Sequence, residues 1–454
     1  MGSEMCIRDR STGMRVLILT HGFWAIAMIT AFFVGMGWQR SATADRQNSE
    51  IQNQASRGQF TLSAPSETGI TRAKSNRADS GESGPIPKLI QGTSFIEMGI
   101  EGLAAMSLKD PNQLKRRLAF SHLLSEMTSE NAAQIREGLI AAGVSNRDSE
   151  WRDFNYAWGT IAGEAAFSGS LTMEKVDLYS VISGWASTDP TNAIEFLDQL
   201  PEKLAHGPGN KLKTDRLDLE KGVVAGLADR NRDEATKYVS KLLAEGRTDT
   251  SRLMETVANE VIRQEGSIGA SNWAATLKDG PLKGSAMGEI AEGYARTDPA
   301  SAASWIEEFA AQDYATRAVA EVGKKWAERE PLAAVSWLEK LPEGQGQKAG
   351  LNSAFGDWED RDPIAAGNYL LSMPNSPKRD SAIRGFAEGY AWQDPKTAIA
   401  WAKDIQDPTI RNESLKKVGF AYYRRKPEEA KTWLAESGLS SEAKADILNS
   451  QRRR

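Results

Sequence analysis

The chain has 454 residues, 40% of them hydrophobic and 26% charged, with 56 Lys and Arg against 61 Asp and Glu for a net charge of −5 at pH 7. That length holds roughly three domains' worth of core, and the near-balance of charge argues against a nucleic-acid binder. A single cysteine, Cys6, excludes a disulfide framework and cysteine-rich metal sites, and three scattered histidines (His21, His122, His206) leave little for histidine chemistry.

Residues 1–13 have no apolar period and read as a leader foreign to the fold, ahead of a start at Met14. Residues 16–38 form an uncharged apolar stretch long enough to cross a bilayer as a helix. Trp24 and Trp38 suit the membrane interfaces. Residues 14–40 are therefore expected to be a transmembrane anchor; the alternative is a cleaved signal, because Ala42-Thr43-Ala44 has the small-x-small form of a cleavage site. Residues 41–88, rich in Ser, Gly, Asn, Gln and Thr, bury too little to offset ordering and read as a disordered tether.

Residues 89–150 are expected to form an amino-terminal cap of about three helices, one of them starting at Asp110-Pro111 with Leu114, Leu118 and Leu124 on its apolar side. From residue 151 to 438 the chain repeats. Pro299, Pro331, Pro363, Pro395 and Pro427 are spaced 32 residues apart, and Pro190 belongs to the same series. Gly163, Arg232 and Ser267 take the proline position in more divergent copies, which makes about nine units. Three residues on, every unit has alanine: 166, 193, 235, 270, 302, 334, 366, 398 and 430. Six residues on, eight of nine are aromatic, and five residues before stands a second bulky column. Nine of the thirteen tryptophans fall in these two columns, so the register is not accidental.

Each unit reads as a helical hairpin. Aspartate accepts from free amides as an N-cap, and proline at the first helical position loses no needed donor. Alanine then permits close helix approach, while the aromatic columns fill the space between helices. One hairpin cannot bury both faces, so the units are expected to stack as an all-α, right-handed α-solenoid with helical caps, the last being a capping helix over 439–454.

The Asp-Pro, small residue and aromatic of each unit resemble tetratricopeptide-type solenoids, although the period here is 32 rather than 34. The Trp-Ala-x-x-Asp-Pro pattern of Trp185-Ala186 and Asp189-Pro190 is similar to bacterial membrane-anchored helical-repeat proteins. That resemblance implies a fold and a compartment: the inner membrane, crossed once, with the repeats on the periplasmic side. Arg15 before the apolar stretch and Arg40 after it give the same orientation only a modest bias.

No catalytic constellation emerges. His122 reads as an amphipathic-helix histidine, and His206, beside Gly207-Pro208-Gly209, as a solvated loop residue. Asp357, Glu359, Asp360 and Asp362 read as a solvated helix end, with no calcium-loop spacing. Gly280 to Ser285 holds phosphate-loop letters in the wrong order and reads as a turn. Arg424-Arg425-Lys426 and the terminal arginines 452–454 are too short for nucleic acid. No enzyme activity, cofactor or metal is expected.

The fifth position after each proline site lies between the alanine and the aromatic, and is polar in eight of nine units. Solvated helix faces usually fill with Lys and Glu, yet six of these eight are small and uncharged. Asn272, Ser304, Ser336, Asn368 and Thr432 are the candidate partner-binding residues, offering hydrogen bonds to an extended peptide. Tight packing that admits only small side chains is the competing reading. The expected function is an exported, membrane-tethered scaffold for protein or peptide partners, with the Asp-Pro helices lining the concave side. A cell-envelope enzyme or glycan-binding protein, using exposed aromatics in a groove, and a transmembrane signalling component are the alternatives.

Overall fold

A computed structural model describes residues 99–145 and 147–450, all within one compact unit. The leader, the apolar stretch 16–38, the tether 41–88 and the arginines 452–454 lie outside the described residues. Among the described residues no helix is long and apolar enough to cross a membrane.

The described chain is all-α apart from one short hairpin. Helices α1 (Ile100–Lys109), α2 (Gln113–Ser125) and α3 (Ala132–Ala142) come first. Then follow α4 (Ser149–Ser170), α5 (Leu178–Thr188) and α6 (Pro190–Asp198). Strands β1 (Lys203–His206) and β2 (Leu212–Asp215) pair antiparallel, His206 opposite Leu212. Next come α7 (Arg216–Arg230), α8 (Arg232–Ala244), α9 (Thr250–Thr276), α10 (Pro281–Thr297), α11 (Pro299–Glu307), α12 (Thr316–Ala327) and α13 (Pro331–Lys340). The remainder is α14 (Gln345–Arg361), α15 (Pro363–Ser372), α16 (Pro377–Tyr390), α17 (Pro395–Lys403), α18 (Pro408–Arg425), α19 (Pro427–Glu436) and α20 (Ser441–Asn449).

Pro190, Pro299, Pro331, Pro363, Pro395 and Pro427 each stand at the start of a helix, as the capping argument requires. The residue before the proline sits at the corner between the two helices of a unit. Asp298 donates its N–H to the Tyr294 carbonyl at 2.8 Å, ending α10, while its side chain accepts from the Ser301 N–H at 3.0 Å, starting α11. Asp362 and Asp394 repeat both bonds. Glu330 and Lys426 make no side-chain cap, yet hold nearly the same backbone angles. Proline and packing therefore set this corner, and the aspartate adds to it. In two of the three divergent units a glycine makes the break instead: Gly163 (φ 49°) inside α4 and Gly266 (φ 71°), just before Ser267, inside α9. Both angles lie where only glycine sits without strain.

Two local expectations need correction. Helix α2 starts at Gln113, not at Asp110-Pro111; Asn112 is its cap, and Asp110 is spent accepting from the Asn112 N–H. The Gly280–Ser285 segment is no free turn, because Pro281 begins α10 and Lys283 is buried in its first turn.

Packing follows a single rule from α4 onward. The first helix of each unit (α4, α5, α7, α9, α10, α12, α14, α16, α18) packs on the first helix of the next. Each second helix packs on the first helices that flank it. Glycine allows the close crossings: a Cβ on Gly184 would sit 1.9 Å from the Tyr156 carbonyl oxygen, and one on Gly385 1.9 Å from that of Asn352. All nine alanines of the repeated column are fully buried. The two bulky columns meet within a unit, as in Trp185–Phe196 at 5.3 Å, Trp326–Trp337 at 6.0 Å and Tyr422–Trp433 at 6.0 Å between ring centroids. Tilted and edge contacts of this kind contribute beyond their buried area.

Candidate binding grooves between the second helices

The candidate residues Asn272, Ser304, Ser336, Asn368 and Thr432 are all exposed. So are the other members of that column, Ser168, Glu195, Lys237 and Ala400. The alanine two residues before each is buried and, in every unit but the first, the aromatic after it is buried or half-buried, so a single helical turn passes from core to surface. Small side chains at these positions are therefore not imposed by crowding.

Because second helices rest on first helices, grooves open between neighbouring second helices. One of about 420 Å³ lies between α17 and α19, lined by Lys396, Ile399, Tyr422, Glu429, Thr432, Trp433 and Glu436. An equivalent groove of about 600 Å³ lies between the end of α4 and α6, with Trp185 and Phe196 in its lining and Glu195 where the other has Thr432. In both, the paired aromatics of one unit lie low in the groove and the exposed polar column forms the wall. Trp433 Nε1 is buried there without a hydrogen-bond partner, as are Trp305 Nε1 and Trp337 Nε1 in their own units. A third hollow, about 380 Å³, is bounded by α8 and the α9–α10 connection. Lys283 reaches it, with Nζ donating to the Ala275 carbonyl and to Asp279 and lying 4.8 Å from the centre of the Phe309 ring. Its bonds are structural ones.

On the side of the first helices a hollow of about 410 Å³ crosses α4, α5, α7 and α9. Small residues Ser180, Ser183 and Ala225 line its middle, while Asp153, Tyr156, Asp229, Glu260 and Arg263 surround them. Tyr156 donates to Asp229 at 2.5 Å, and Arg263 donates to Asp229 at 2.6 Å and to Glu260 at 2.7 Å. Burial raises the Tyr156 phenol well above its usual range, the Asp229 bond adding to it, and raises that of Tyr179 to about 12. These phenols stay protonated, and the network satisfies itself. Burial also raises the pKa of Asp153, which lines the same hollow.

Two sequence readings fail here. His206 is not solvated: the β hairpin buries it to 6% exposure, with Nε2 2.9 Å from Thr214 Oγ1, and burial lowers its pKa. The acidic group is a solvated helix end only in part, since Asp360 and Asp362 are exposed. Asp362 caps α15, but Glu359 is fully buried, and burial followed by the nearby Asp360 charge raises its pKa to about 8. A signal for this was present, since Glu359 falls four and eight residues after the buried Phe355 and Leu351. Among the described residues no cluster of side chains suits a metal ion. Comparison with known protein families, curated proteins and solved structures finds no match to this chain.

Proposed function

We propose that this chain is an exported, membrane-tethered helical-repeat scaffold, without catalysis, that binds a protein or peptide segment along its second helices. About nine units would stack as a right-handed α-solenoid. The observation that carries the reading is the exposed polar column Asn272, Ser304, Ser336, Asn368 and Thr432, the last of which lines the groove between α17 and α19. A backbone laid across the units would exchange hydrogen bonds with that column. Changing Asn272, Ser304, Ser336 and Asn368 together to alanine should reduce the protein captured by crosslinking in native membranes while leaving the melting temperature nearly unchanged. Unchanged capture would refute the track.

The glycan-binding alternative rests on one feature, the half-buried aromatics low in the grooves beneath polar walls. Envelope glycan fragments would then quench tryptophan fluorescence, and Trp433→Phe would weaken that quenching. Absence of quenching at millimolar glycan removes this reading.

A further inference from the structure

Across the first turn and a half of the second helices, charge disappears over four consecutive units. The first, second and fifth positions after the proline site are Ile268, Gly269 and Asn272 in the fourth unit, then Ala300, Ser301 and Ser304. They are Leu332, Ala333 and Ser336 in the sixth, and Ile364, Ala365 and Asn368 in the seventh. Twelve exposed or half-exposed positions without one charge are unusual in a chain that is 26% charged. Three are large aliphatics held in solvent: Ile268 is 66% exposed, Leu332 60% and Ile364 76%. Charge returns at once on both sides. The third unit presents Asp233, Glu234 and Lys237 at these positions, Glu234 already pairing with Arg230 at 3.7 Å, and the eighth presents Lys396 at the first.

We propose that this face docks a second copy of the same chain, the two rows running antiparallel about a twofold axis that lies along the second helices between α11 and α13. The inference rests on the partner-binding reading above and names the partner. An isologous contact must be self-complementary, and this register is. It sets Leu332 of one copy over Ala300 of the other, large against small, on both sides of the axis. Ile268 then meets Ile364 of the other copy. Asn272 faces Asn368, and Ser304 faces Ser336, each pair able to donate and accept. Outside the apolar centre, Asp233 and Glu234 stand opposite Lys396, which within its own chain pairs with Glu429 at 2.8 Å. A parallel alignment would instead put Asp233 and Glu234 against themselves. Further along the helices charge returns at Glu307, Glu308, Glu339 and Lys340, so the contact is confined to their first turns.

The test uses the purified full chain with Cys6→Ser as background. Under mild oxidation, Ala300→Cys with Leu332→Cys should give a covalent dimer, and either change alone should not. Ile364→Cys alone should stay monomeric; a dimer from it would mean parallel rows and would overturn the register. Sedimentation of the parent chain should give twice the chain mass, and Leu332→Lys with Ile364→Lys should halve it with no change in melting temperature. A parent chain that sediments as a monomer and fails to crosslink overturns the proposal. The scaffold reading has its own separate outcome, because a monomer that still captures another protein through the alanine-sensitive track would keep that reading while losing this one.

Discussion

Glu359 places a carboxyl where its charge is penalised. It is fully buried between α14 and α16, and a Cβ on Gly389 would sit 2.2 Å from its Oε1, so only glycine leaves it room. Oε1 has no partner, and Gln393 reaches Oε2 only at 3.5 Å. The folded pKa is raised to about 8 from an ordinary 4.5. The folded state therefore holds a proton that the unfolded chain releases. Stability is fully present below pH 4.5, falls as pH rises, and levels off above about 8, at no more than about 1.4 kcal/mol per pH unit. Chemical unfolding at pH 5 and pH 8.5 should show the loss, and Glu359→Gln should flatten it and stabilise the protein at the higher pH. Equal pH dependence in both proteins would sink this account. The aromatic column makes a contrasting case. Trp337 is 9% exposed and packs on Trp326, so Trp337→Ala should cost about 3–5 kcal/mol in the same assay. Leu332→Ala, five residues earlier but 60% exposed within its own chain, should stay within about 0.5 kcal/mol when measured at a concentration low enough to keep the chain monomeric.

At the scale of elements, the corner between the two helices of a unit carries the most local information. Aspartate, glutamate and lysine all adopt nearly the same backbone there, so the corner survives without its cap and only loses the cap's share of stability. Asp298→Ala should cost about 1 kcal/mol, and Glu330→Asp should add about that much by supplying a missing cap, both read from denaturant midpoints. No gain at Glu330 would show that its corner lacks the geometry for capping. Where first helices cross, glycine serves packing rather than flexibility. Gly184→Ala drives a Cβ to 1.9 Å from a carbonyl and should destabilise by about 1–3 kcal/mol. Gly169→Ala, with nothing within 4 Å, should be neutral or stabilise by up to about 1 kcal/mol through helix propensity. Reversal of that order would mean the first helices stand further apart than they do here.

For the whole molecule, the proposed anchor and scaffold give a topology that protease can read. Added to intact spheroplasts, protease should remove the repeats, while the same repeats stay protected if the orientation is reversed. What the sequence alone determined is what short-range physics writes: the all-α class, helix starts at six prolines, the buried alanine column and the pairing of bulky columns eleven residues apart. Each depends on capping or helical period within one unit, and the thirty-two-residue spacing repeats the message. Residues that depend on a neighbouring unit or an insertion were misread. His206 looked solvated until β2 closed over it, Glu359 until α16 supplied Gly389, and Asp110-Pro111 looked like a helix start although Asn112 takes that place. The candidate track was legible as a column of small polar residues, but its exposure was not, since small side chains fit a crowded face and a solvent face equally well. Only tertiary packing decided it: second helices rest on first helices, and that leaves the fifth position in solvent.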